Sequence, residues 1–339
     1  MKKITIHDVA CAAGVSAATV SRSLNLPDQV KPAVRAHVIA TAERLGYLAD
    51  GAARALASRR SGAVGAIVPT LDNPIFATCI AALQQRLDEH GRVLLIASSG
   101  YDPAREARDL RGLLERGVDG VMLVGADHAA AVWHLLASAR VPVVVTWTTT
   151  GAPPGVPCIG FDNQAATRRL VSYLLDIGHR RIAMIAGPSP GNDRATARVA
   201  GVREGLARAG IDWPEEYRVE RPYSVAAGRA TLIEFMSMPR PPTAIICGND
   251  HLAFGALAAA AGMGIRVPAE LSLTGFDDLD FAAHATPALT TVHVPAAAMG
   301  RQAADCLVAA ASARAGPASV ELEAPVMLRD TTAPPPPIR

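Results

Sequence analysis

The side chains best suited to chemistry stand close together near the start of the chain. Ser16, Thr19, Ser21, Arg22 and Asn25 fall within ten residues, with Ala17 and Ala18 among them. Hydroxyls, an amide and a guanidinium at helical spacing are the groups that bond phosphate oxygens and base edges. Arg22 carries a planar fork that matches O6 and N7 of guanine, a pairing worth about 1–3 kcal/mol of discrimination. Thr19, Ser21 and Asn25 suit phosphate or structural hydrogen bonds better. Residues 1–60 hold nine Lys or Arg against four Asp or Glu, whereas the remainder holds 24 against 27. Positive charge confined to one end is the footprint of nucleic-acid contact by that end.

Other chemistries are poorly provided for. All three lysines (Lys2, Lys3, Lys31) lie in this basic head, so the rest of the chain has neither a phosphate-loop lysine nor a Schiff-base lysine. The zinc-protease and dinucleotide fingerprints are missing, and catalysis is not expected. Asp127-His128 and Asp250-His251 are adjacent pairs that suit surface or capping roles. Cys11, Cys79, Cys158, Cys247 and Cys306 are widely spaced and never form C-x-x-C, so no disulfide framework, metal site or cofactor is expected. The first residues are too polar for a signal peptide and no apolar run spans a bilayer, which points to a cytoplasmic protein with no membrane partner.

Three short helices are needed to position the head's side chains. Thr5 followed by Asp8 is a capping-box signature that opens a helix running to Ala13. Gly14 supplies a left-handed turn, Val15 plugs the core, and Ser16 caps a second helix from Ala17 to about Leu24. Pro32 opens a third, ended by Gly46, although Lys31 offers it no capping oxygen. Val9, Ala10 and Ala13 form one apolar stripe and Val15, Val20 and Leu24 another, leaving Ser16, Ala17, Ala18, Ser21, Arg22 and Asn25 on the opposite face. From Gly62 the texture changes to an α/β alternation. Apolar runs at 64–68, 93–97, 121–124, 141–145, 182–186, 243–247 and 271–275 are separated by helical stretches at 76–90, 104–116, 164–177, 196–209 and 251–261. That pattern predicts parallel sheets flanked by helices, enough for two subdomains. The prolines at 334–337 begin no helix, and no C-terminal leucine heptad follows.

The stretch Thr5-Ile-His-Asp-Val-Ala-Cys-Ala-Ala-Gly-Val-Ser-Ala-Ala-Thr-Val-Ser-Arg-Ser-Leu-Asn25 resembles the headpiece of the lactose-repressor (LacI/GalR) family, whose pattern is T-x-x-D-V-A-x-x-A-G-V-S-x-x-T-V-S-R-x-L-N. The resemblance continues to about Asp330. It implies a helix-turn-helix headpiece over 1–47, a hinge over 48–60, and a two-lobed core over 61–330 resembling periplasmic binding proteins. The lobes would be joined by crossings near 161, 291 and 323, with a Pro-rich tail over 331–339. Thr5 and the six recognition-face residues would contact DNA, with Ala17 and Ala18 at the positions that family members vary to choose operators. Methyl groups there permit thymine contact but no hydrogen-bond readout, which shifts specificity to Arg22, the hinge and DNA shape. In the hinge, Leu56 would wedge a central base step in the minor groove, Ala53 and Ala57 would allow two hinge helices to approach, and Arg54 would contact phosphate. Asp50 and Gly51 are poor helix formers, so this helix is expected only on DNA. The partners implied are a near-palindromic double-stranded operator, a second copy of the chain, and a small effector.

For the effector, the resemblance assigns Ile75 and Phe76 to ring stacking, Arg198 to a clamp, Tyr223 to an aromatic floor, and Asn249 and Asp277 to polar contacts. Trp147 is a further candidate wall. This set suits a sugar-like or planar ligand, and Arg194 makes a sugar acid conceivable unless Asp193 neutralises it. Ala165 stands where sugar-binding members can carry a carboxylate, which argues against a simple galactoside. A repressor controlled by such a metabolite is the expectation. The alternative is a soluble solute-binding protein, which would have the same core but an export signal and no basic head.

Overall fold

The structure is a computed structural model that describes residues 4–25, 29–47, 61–311 and 318–337. It divides into two compact units, Met1–Ala63 and Val64–Arg339. The first contains helices α1 (Ile6–Ala13), α2 (Ala17–Asn25) and α3 (Pro32–Leu45). Thr5 caps α1 reciprocally: its backbone N–H donates to Asp8 Oδ2 at 2.8 Å while Thr5 Oγ1 accepts from the Asp8 amide. Gly14 adopts φ 63° and breaks the chain between α1 and α2. Ser16 Oγ then accepts from the Thr19 amide at 3.1 Å and opens α2. Val9, Ala10, Ala13, Val20, Val38 and Ala42 form the small core, with Val15 and Leu24 packed around it. α3 starts without a side-chain cap at Lys31 and ends on Gly46. Asp50, Gly51, Ala53, Arg54, Leu56 and Ala57 lie outside the described residues, so the expected hinge is not among these elements.

The second unit contains two parallel sheets. The first has the order β2 (Val93–Ser98), β1 (Ala63–Val68), β3 (Val121–Val124), β4 (Val143–Thr146), β5 (Cys158–Gly160), β11 (Val320–Glu321). The second has the order β7 (Arg218–Glu220), β6 (Ile182–Ala186), β8 (Ala244–Cys247), β9 (Ser272–Thr274). Central strands β3, β6 and β8 are buried throughout because helices cover both faces of a parallel sheet. The chain leaves the first sheet after β5, returns from the second through β10 (Thr291–Val292), and leaves again after β11 through β12 (Val326–Met327). β10 and β12 pair antiparallel, Thr291 with Met327 and Val292 with Val326.

The first lobe carries α4 (Pro74–Glu89), α5 (Pro103–Glu115), α6 (Ala130–Ala139) and the returning α12 (Ala296–Ala311), which packs along α4. The second carries α7 (Asn163–Asp176), α8 (Asp193–Arg208), α9 (Val225–Met236), α10 (Asp250–Gly262) and the short α11 (Asp280–His284). α9 and α10 touch backbone to backbone. A Cβ on Gly228 would lie 2.0 Å from Leu252 O, and one on Gly255 would lie 2.0 Å from Val225 O. The tail expected from residue 331 begins later than that. Thr331 is fully buried, its carbonyl accepts from the Leu273 amide at 2.9 Å, and Ala333 O meets His179 Nε2 at 2.9 Å. Three residues of the supposed tail therefore complete the edge of the second sheet.

Candidate functional site

In the headpiece, one side of α2 is spent on the core and the other faces solvent. Val20 and Ser23 are fully buried, whereas Ser16, Ala18 and Arg22 are exposed and Ala17, Thr19 and Ser21 are partly so. Arg22 Nε donates to Ala18 O at 3.3 Å, which lays the guanidinium along the helix face. Ser16 Oγ and Thr19 Oγ1 lie 2.9 Å apart, so the two hydroxyls at the helix start support each other. Thr5 is exposed, its hydroxyl donating to Asp8 Oδ2 at 2.7 Å. A helix N-terminus with free amide dipoles and short polar side chains is a favourable phosphate seat.

In the core, the ends of β1, β2, β4 and β9 meet across the boundary of the lobes, where open α/β sheets bind ligands. Five non-glycine residues among those described have positive φ, and four follow these strands directly: Tyr101 (61°), Trp147 (65°), Asp277 (125°) and Asp278 (57°). Backbone strain of this kind concentrates at functional sites. Asn73 caps α4 through Oδ1, accepting from the Ile75 amide at 3.1 Å, and reaches across with Nδ2 to Asp277 Oδ2 at 3.1 Å. Arg198 on α8 lies inside the boundary, 6% exposed. Its Nε donates to Asn163 Oδ1 (2.9 Å), its Nη1 donates to Gly248 O (2.7 Å), and its plane lies 3.6 Å from the Phe276 ring centroid. Asn163 Nδ2 in turn donates to Trp147 O at 2.9 Å. The Tyr101 and Tyr223 rings, one from each lobe, are 6.2 Å apart. Beside these groups the boundary opens into a pocket of about 510 Å³ lined by Thr148, Thr149, Gln164 and Arg194 among others.

Burial governs the electrostatics. It raises Asp277 to about 6, although Arg198 and the Asn73 amide pull the other way. The same burial, then the charge of Asp277, lifts Asp250 to about 8, against hydrogen bonds from Thr291 Oγ1 (2.6 Å) and the Leu279 amide (2.8 Å). Burial and the neighbouring Tyr223 raise the Tyr101 phenol. Desolvation also lowers Arg198, offset in part by Tyr223 and Asp277. Asn249 caps α10 through Oδ1, accepting from the Leu252 amide at 3.0 Å, while its buried Nδ2 has no hydrogen-bond partner among the described residues.

Of the residues singled out from sequence, Arg198, Asp277 and Tyr223 come together at this boundary, with Asn249 next to the Gly248 carbonyl that Arg198 holds. Ile75, Phe76 and Trp147 are as buried as Arg198, Asp277 and Asn249 but belong to the hydrophobic core. They are 6%, 5% and 2% exposed, and the Phe76 and Trp147 rings pack 5.1 Å apart in the first lobe's interior. Arg194 is not a free cation: its Nη1 pairs with Asp193 Oδ1 at 2.7 Å. Tyr101, Asn73, Asn163 and Phe276 were not singled out. Tyr101 follows a Ser-Ser-Gly turn signal that marks a strand end but says nothing of what faces it.

Residues 5–50 match the model of bacterial regulatory proteins of the lacI family, and residues 171–332 match a periplasmic binding protein-like domain. The HTH-type transcriptional repressor CytR of Escherichia coli K12 is 32% identical over 301 residues, covering 88% of this chain and 87% of that protein. The ribose operon repressor of the same organism is 31% identical over 306 residues, covering 90% and 92%. The Lac repressor dimer bound to operator and the anti-inducer ONPF superposes with a TM-score of 0.86 at 27% identity, covering 98% of this chain and all of that one. A LacI-family regulator from Silicibacter pomeroyi superposes at 0.87 with 28% identity, covering 97% and 99%.

Proposed function

The chain belongs to the lacI family of bacterial regulatory proteins, and from that membership we propose that it is a cytoplasmic, dimeric repressor of a near-palindromic operator, released or recruited by an uncharged, polyhydroxylated metabolite. The observation that carries the DNA half is the division of α2 into a packed face and an exposed face bearing Ser16, Ala18 and Arg22. A helix so divided fits the major groove, with Arg22 reaching a guanine and Thr5, Thr19, Ser21 and Asn25 serving phosphates. Leu56, with Ala53, Arg54 and Ala57, would complete the site from the minor groove.

For the effector, charge decides. Arg198 is balanced by Asp277 across the site, and Arg194 is paired with Asp193. Among the described residues a sugar acid would find both of these cations already balanced. A neutral ligand would find donors in Arg198 and Asn249 and an acceptor in Asp277, with Tyr101 and Tyr223 as covers and room in the pocket beside Arg194.

Dimerisation is supported by exposed apolar side chains on both lobes. Val93, Ile96 and Leu71 are 61%, 42% and 53% exposed on the first, and Phe281 and Val225 are 62% and 48% exposed on the second. Phe281 stands edge-on to Phe254, 5.2 Å away, beside a groove lined by Leu257 and Ile265. Surface apolar clusters of this kind mark interfaces.

Selection of bound sequences from random DNA, repeated with neutral sugars and with the matching sugar acids, tests the whole reading. A near-palindromic site whose enrichment responds to a neutral sugar is expected. No enriched sequence would remove the regulator assignment, and a response to acids alone would remove the neutral-effector part.

A further inference from the structure

Strand β3 of the first lobe ends at Val124, and the two residues after it turn toward the second lobe. Four backbone polar groups at this exit are engaged. Two are satisfied within the first lobe: the Gly125 amide donates to Thr146 O at 2.8 Å, and Gly125 O meets His128 Nε2 at 2.8 Å. His128 is itself held, its Nδ1 3.0 Å from Glu106 Oε2. The other two are taken by the first residues of α8 in the second lobe. Val124 O accepts from Arg194 Nη1 at 3.1 Å, and the Ala126 amide donates to Asp193 Oδ2 at 2.8 Å. The bond between Arg194 Nη1 and Asp193 Oδ1 closes the figure.

A carboxylate and a guanidinium thus hold two backbone positions of the opposite lobe, Val124 and Ala126, on either side of Gly125. Charge-assisted bonds of this type are the stronger ones, and here each ion also neutralises the other. Gly125 is fitted to the arrangement twice over. Its φ is 79°, and a Cβ would stand 1.8 Å from Arg194 Nη1 and 2.4 Å from Asp193 Oδ1. Arg194 is only 6% exposed, so separating the lobes would strip a buried cation of its carbonyl partner.

We infer that Asp193 and Arg194 form a latch that holds the two lobes shut when no effector is bound. The charge balance inside the pair means that closure needs no ligand charge. An effector then acts on a cleft that is already shut, so the latch sets the threshold that ligand binding must move. The regulatory meaning rests on the repressor reading above, but the latch itself does not.

Hydrogen–deuterium exchange of the full chain, without ligand or DNA, reads the latch at single amides. In the wild type the Ala126 and Gly125 amides are both expected to be protected. Asp193→Ala and Arg194→Ala are expected to speed Ala126 exchange at least about tenfold, the loss of one charge-assisted bond, while the Gly125 amide stays protected. Asp193→Asn keeps an acceptor oxygen and should retain most of the Ala126 protection. An unprotected Ala126 in the wild type, or unchanged exchange in both alanine variants, overturns the latch. Equal loss at Gly125 and Ala126 would give the pair a role in holding β3 itself and would overturn it too. Because no DNA enters the measurement, its failure is separable from a failed operator selection.

Discussion

Two side chains show how local environment assigns work. Arg22 is exposed on a helix whose other side is spent on packing, so it can be removed without loosening the headpiece. Arg22→Ala is expected to cost about 1–3 kcal/mol of preference for the selected operator over a scrambled one, with the melting temperature unchanged. Equal affinities for both DNAs in wild type and variant alike would refute the recognition role. Asp250 is the opposite case, a fully buried carboxyl held neutral by desolvation. Its native value of about 8 lies above its ordinary value of 3.8, so the folded state holds the proton more tightly than the unfolded state. The associated stability is complete below the unfolded value and is lost as pH rises through the native one. Asp277 passes its midpoint at about pH 6, which leaves Asp250 the steeper contributor above it. Between about pH 6 and about pH 8 the wild type should therefore lose up to about 1.4 kcal/mol per pH unit, and Asp250→Asn should flatten that slope. Parallel slopes in chemical denaturation would count against a neutral Asp250.

Elements formed where neighbours in sequence carried the instruction. The Thr5–Asp8 box, the Gly14 turn and the Ser16 cap are local chemistry, and α1 to α3 followed from them. In the core the long strands and helices α4, α5, α7, α8 and α10 were legible for the same reason, whereas α9 was missed despite its Ser224 cap. α6 was missed too: it is an apolar, Ala-rich segment whose N-cap, Ala129, supplies no side-chain bond. β5, β7, β10, β11 and β12 are two or three residues long and exist only because distant segments pair with them. The effector site divides similarly. Arg198 and Asp277 could be placed by motif, whereas Tyr101, Asn73 and Asn163 matter through contacts made between lobes. The α9–α10 contact is another feature no local pattern announces, since two glycines must meet two carbonyls. Gly255→Ala is expected to destabilise the core by about 1–3 kcal/mol through overpacking against Val225 O. Thermal unfolding reads the loss, and an unshifted midpoint would show that α9 and α10 can part without cost.

At the scale of the molecule, an operator with two halves requires two headpieces. Phe281 offers the clearest lever, being 62% exposed and touching Phe254 edge-on. Phe281→Asp is expected to shift sedimentation toward the monomer and to weaken operator binding at least about tenfold, with the core's fold retained by circular dichroism. A dimer of unchanged strength would move the interface elsewhere. The path of the chain carries one more consequence. The first sheet waits for β11 at residues 320–321, and the second waits for Thr331 and Ala333 to settle against Leu273 and His179. During synthesis, then, the ribosome must release the chain past residue 321 before the first lobe can be finished and past residue 333 before the second. The three-helix head has all its parts once Tyr47 has emerged from the exit tunnel. The DNA-reading part is thus ready long before the part that governs it, and translation itself imposes that order on the nascent chain.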